Sequence, residues 1–132
     1  MGKLPYARRF SELVVYQLAK RTADEIFKLT GNFPRDESFA IRGQLRRSSR
    51  SMGAQIAEAW AKRRYRRHFI AKLTDAIAEE LETQHWLLAA VSCGYLTEQQ
   101  VGALTSDLDE VGSMLHSMID KAHLFCDRKS IS

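Results

Sequence analysis

Apolar residues recur three and four positions apart along nearly the whole chain, and no stretch alternates like a β-strand. The pattern predicts four helices. The first covers about 10–29, where Phe10, Val14, Leu18, Thr22 and Ile26 form a drifting stripe with Val15 and Leu29 beside it. Thr30-Gly31-Asn32 ends it, Gly31 being suited to the left-handed conformation that closes helices. The second is expected over 34–61. Pro34 fits a first helical turn, Asp36 and Glu37 suit the positive end of the dipole, and Ile41, Leu45, Ser48, Met52, Ile56 and Ala59 line the inner face. Small residues from Ser48 to Ala57 fill its middle and favour close approach of a neighbouring helix. The third helix is expected over 65–93 with the repeat Ile70, Leu73, Ile77, Leu81 or Glu80, Gln84, Leu88, Val91, stopped by Cys93-Gly94-Tyr95. Thr97 and Gln100 read as a capping box opening a fourth helix, over 97–125. Its apolar row, Val101, Leu104, Leu108, Val111, Leu115, Met118 and Ala122, is the clearest in the chain. Short connections between four helices predict an all-α, antiparallel up-down-up-down four-helix bundle, one domain over residues 1–132, with poorly ordered ends at 1–9 and from Asp127.

Composition permits a core: 45% of the 132 residues are hydrophobic, and only two prolines interrupt the helices. The longest purely apolar run, Trp86–Val91, is far short of the ~20 residues that span a bilayer. The opening residues lack a signal-peptide core, so a cytoplasmic protein with no membrane partner is expected. Cys93 and Cys126 fall near opposite ends of an antiparallel bundle, too far apart for a disulfide.

The net charge of +4 hides a strong asymmetry. Residues 42–67 carry nine basic side chains against the single acid Glu58, whereas 75–132 carry ten acids against three bases. Such a division suits either a polyanion-binding patch or basic and acidic faces that meet. Alignment of helices 2 and 3 about a hinge near Arg63 sets Arg47 level with Glu79, and Arg50 level with Ala76 beside Asp75. Arg46 and Arg47 are therefore expected to form structural ion pairs with Glu79 and Glu80. The segment Lys62, Arg63, Arg64, Tyr65, Arg66, Arg67 has two readings. One is a solvated helix junction; the other is a nucleic-acid-binding surface, helped by Arg42 and Arg50, with Trp60 and Tyr65 as stacking faces.

Other chemistry finds little support. Glu82-x-x-His85 and Asp120-x-x-His123 have the i, i+3 spacing of di-metal bundles, but antiparallel geometry separates them by roughly 27 Å. No nucleophile elbow and no phosphate loop is present. No catalytic residue, metal or cofactor is expected, and a non-enzymatic role follows.

Phe33-Pro34-x-x-Glu37, Gln44-Leu45-Arg46-Arg47-Ser48, Ser51 and Ile56-Ala57-Glu58 resemble the signature of a bacterial four-helix-bundle family. That family includes the reading frames within intervening sequences of large-subunit ribosomal RNA genes. It is also related to accessory variability determinant proteins of diversity-generating retroelements. Glu80-Leu81-Glu82-Thr83-Gln84 and Gly94-Tyr95-Leu96 match its third helix and the end of it, while Gln55 and Ala59 depart from its Asn and Gly. The resemblance implies a homopentamer of bundles. In the retroelement relatives it also implies binding to nucleic acid, RNA or DNA, and to a reverse transcriptase. It brings no catalytic residues. The expectation is a homo-oligomeric bundle that binds nucleic acid; the alternative is a protein–protein scaffold that does not touch nucleic acid.

Overall fold

The computed structural model describes residues 7–37 and 40–127; the expected disorder at 1–6 and 128–132 lies outside it. Regular structure among the described residues is helical. Four long helices, α1 (Val14–Thr30), α2 (Ile41–Ala61), α3 (Arg66–Ser92) and α4 (Glu98–Asp120), are followed by a short α5 (Ala122–Phe125). Each long helix packs on the next, and α4 closes the ring against α1, giving a four-helix bundle. Its interior is filled by Ile26, Leu45, Met52, Ile56, Phe69, Leu73, Leu87, Leu108 and Leu115.

The ends of the helices follow their local chemistry. The Thr97 hydroxyl accepts from the Gln100 N–H at 3.0 Å, and the Gln100 side chain accepts from the Thr97 N–H at 2.9 Å. This capping box opens α4. At the end of α3, Gly94 takes φ 75°. The Tyr95 N–H then reaches back to Ala90 O and the Gly94 N–H to Val91 O, both at 2.9 Å. This pair of bonds satisfies carbonyls that the last turn would otherwise leave open.

Three expectations are corrected. Gly31 closes α1 at φ −60°, not in the left-handed region. The first helix starts at Val14, after a 3-10 turn over Phe10–Glu12, and leaves Val14 65% exposed. The second starts at Ile41: buried Phe33, its ring 5.2 Å from that of Tyr95, pins the chain at the end of the bundle, and a separate 3-10 turn covers Arg35–Glu37.

On α3, Leu73 and the alternative Glu80 are buried as expected, but the other expected positions lie one residue away from the buried face. Phe69, Leu73, Ala76, Glu80, Thr83, Leu87 and Ala90 are buried, while Leu81 and Leu88 are exposed. Two polar residues thus occupy core positions. The Thr83 hydroxyl donates to Glu79 O at 2.8 Å and lies 2.9 Å from the equally buried Ser48 hydroxyl. The Glu80 carboxylate lies against Gly112 of α4, where an added Cβ would come within 2.6 Å of it. It accepts from the Gln84 amide at 2.6 Å, and that amide also donates to Asp109 at 2.9 Å. Burial, the dominant cause, raises the Glu80 pKa, and the nearby Asp109 charge adds to this.

Candidate nucleic-acid interface

The basic residues of α2 divide according to the helical rotation of about 100° per residue. Arg46 faces α1. Its Nε donates to the Thr30 hydroxyl at 2.9 Å, its Nη2 to Phe27 O at 3.0 Å, and its guanidinium lies 4.0 Å from the centre of the Phe27 ring. It therefore caps the negative end of α1. Arg50, one turn on, rests over the same ring at 4.9 Å. Burial, followed by the charges of Arg42 and Arg50, lowers the Arg46 pKa. Arg46 therefore pairs with neither of its expected partners, Glu79 and Glu80, and Arg50, level with Ala76, does not pair with Asp75. Glu80 faces α4, and Asp75 meets Lys72 at 3.4 Å.

Arg47 points the other way, into α3. It reaches Glu79 at 3.3 Å and also Glu82, while its Nε donates to Gln44 at 3.0 Å. Ser51 donates to Glu79, and the Trp86 indole N–H donates to Glu82 at 3.0 Å. The Trp86 bond, then Arg47, holds the Glu82 pKa below its usual value. This network fixes α2 against α3. It also engages the carboxylate of the Glu82-x-x-His85 pair. Among the described residues no group of three His, Cys, Asp or Glu is placed to hold a metal.

The remaining cations gather where α2 turns into α3. α2 stops at Lys62, whose N–H bonds Ala59 O, and Tyr65 takes an extended conformation before α3 begins at Arg66. Lys62, Arg64 and Arg67 project into solvent, while Arg63 and Arg66 are half-buried. The Arg63 guanidinium sits over the Trp60 ring, 3.6 Å from its centre, and donates to Trp60 O at 2.8 Å. Arg63 thus occupies one face of Trp60, which is itself partly buried against the core, so it is not a free stacking face. Tyr65 remains 36% exposed, its ring 5.2 Å from that of His68. The residues after α4 close over the junction: the Asp127 N–H donates to Arg63 O at 3.1 Å, and Phe125 stacks on Phe69 at 6.0 Å. Nothing in the local pattern of either segment predicted that contact.

The local acid, Glu58, pairs with Lys72 at 3.1 Å. Among the described residues, none of Lys62, Arg63, Arg64 or Arg67 lies in an ion pair. Position adds to the significance. The first turn of α3 holds Arg66 and Arg67 and no acid, although that end of a helix favours negative charge. Arg42 stands roughly 30 Å from this cluster along α2 and Arg50 roughly 18 Å, so neither completes a compact patch with it. No helix among the described residues is long and apolar enough to cross a membrane.

Comparison with known proteins agrees with this architecture. A solved protein of unknown function from the S23 ribosomal protein family of Bacteroides thetaiotaomicron superimposes with a TM-score of 0.70 at 32% identity, covering 80% of this chain and 98% of that one. No curated protein matches. The family model for 23S rRNA-intervening sequence proteins matches residues 11–117, and the chain belongs to that family.

Proposed function

We propose that this protein is a non-enzymatic bundle that binds RNA or DNA through Lys62, Arg64 and Arg67, with Tyr65 as a stacking face. One observation carries the reading: a cluster of exposed cations without acidic partners, part of it at the wrong end of a helix for stability. Charge arranged against the local dipole is understandable when an anion completes the site, because phosphate oxygens suit both the guanidinium groups and the helix N–H groups. Contacts of this kind read the backbone, so binding is salt-sensitive and weakly selective for sequence.

The subunit is further proposed to assemble into a closed homo-oligomer, a pentamer, which would repeat the junction around a ring and strengthen individually weak contacts. Fluorescence anisotropy with a short labelled RNA and its DNA counterpart tests the binding. The Lys62/Arg64/Arg67→Ala variant should lose it; equal binding by variant and parent rules the junction out. Light scattering gives the subunit count.

A further inference from the structure

The hairpin of α3 and α4 differs in character from the basic end of the molecule. Between Leu73 and Asp120 the chain has nine acids and no Lys or Arg. Glu79 and Glu82 are engaged by Arg47, Asp75 by Lys72, and Glu80 is buried. The acids of α4 meet no cation among the described residues.

Between these two helices runs an open groove of about 620 Å³, with Leu88 and Val91 on one wall and Val101, Gly102 and Thr105 on the other. Glu98 and Asp109 stand on its rim. They are roughly 16 Å apart along α4, or about three helical turns. Leu88 is 64% exposed, and Leu81, two turns before it on the same face, is 57% exposed. Gly102 gives a second indication. A glycine inside a helix costs about 1 kcal/mol relative to alanine. Here a Cβ would meet nothing within 4 Å, so packing inside this subunit does not require the missing side chain. The bare backbone leaves the groove open to a close approach at that point.

We propose that this groove is a docking site for a basic amphipathic helix of a partner protein. Apolar anchors at i, i+3, i+4 and i+7 would lie along Leu88, Val91 and the bare backbone at Gly102. Lys or Arg residues about three turns apart would meet Glu98 and Asp109. The absence of cations across the whole hairpin sets the sign of the partner and disfavours a polyanion at this site. The groove lies roughly 33 Å along α3 from the basic junction, so the two surfaces can act independently.

The test uses a labelled synthetic helix of leucine and lysine in amphipathic order. Its controls are the same peptide with glutamate for lysine and a scrambled version. Saturable binding by the ordered lysine peptide alone is expected, weakened at least tenfold by Leu88→Asp. Gly102→Gln should weaken it similarly while raising the melting temperature, which separates blocked docking from misfolding. The Lys62/Arg64/Arg67→Ala variant should bind the peptide as the parent does. Equal binding by the scrambled peptide, unchanged binding in either groove variant, or loss of binding in the junction variant would overturn the assignment. So would a fall in particle mass by light scattering in Leu88→Asp, because the groove would then be filled by a second copy of this chain.

Discussion

Replacing Arg46 with Ala separates an arginine that builds the fold from those that serve the surface. The side chain makes a charge-assisted bond to Phe27 O at 3.0 Å, another to Thr30 at 2.9 Å, and a ring contact at 4.0 Å. A bond to a charged donor contributes about 1.5–3 kcal/mol, and a partly exposed cation–ring contact about 0.5–1 kcal/mol. Two effects reduce the loss. Phe27 O keeps a share of the Thr30 hydroxyl proton at 3.1 Å, although that proton goes chiefly to Ile26 O at 2.7 Å, and repulsion from Arg42 and Arg50 is relieved. A net destabilisation of about 2 kcal/mol is expected, or roughly 8 °C in Tm for a domain of this size. Arg50→Ala, which loses a looser contact on the same ring, should cost less than about 0.5 kcal/mol. Arg46→Lys should recover less than half, because an ammonium cannot bond in the plane of a fork and stack at once. Urea unfolding followed by circular dichroism measures all three. If Arg46→Ala and Arg50→Ala fall within experimental error of each other, Arg46 is not the cap of α1.

The register of α3 predicts that Leu87→Ala costs about 2–5 kcal/mol while Leu88→Ala stays within about 0.5 kcal/mol, as read by the same unfolding curves. Arg67→Glu should stabilise the fold by about 0.3–1 kcal/mol by suiting the N-terminus of α3, yet abolish oligonucleotide binding; destabilisation would contradict the dipole argument. The raised pKa of Glu80 makes its contribution to stability fully present below the ordinary carboxylate value of 4.5, and this contribution fades as pH rises through the elevated folded value. Glu80→Gln should therefore raise Tm at neutral pH and flatten the pH dependence of Tm above 4.5; an unchanged pH profile would refute the burial argument.

The sequence revealed most where one apolar face was enough to define an element. All seven positions expected of the fourth helix are buried, six in α4 and Ala122 in α5, and the capping box forms with both bonds. Periodicity was a poorer guide on α3, where it left Leu81 or Glu80 open: Glu80 and Thr83 face inward while Leu81 and Leu88 face outward. What admits the two polar groups lies on other helices, Gly112 on α4 and Ser48 on α2, and no local pattern encodes that. The same limit applies to the arginines. Level alignment of two helices placed Arg47 beside Glu79, but only the rotation of α2 sends its neighbour Arg46 to α1. The cationic junction was legible as a charge run; that Arg63 covers Trp60 and that Asp127 ties down the turn was not.

The salt dependence of oligonucleotide affinity tests the basic junction most directly. Three phosphate contacts on a single strand give a slope of about −2 in log affinity against log salt, roughly a twentyfold loss between about 50 and 200 mM. The parent protein should show that loss, and the Lys62/Arg64/Arg67→Ala variant should show no binding even at the lower salt. Affinity indifferent to salt, or a variant that binds like the parent, would contradict a phosphate-binding role for the junction.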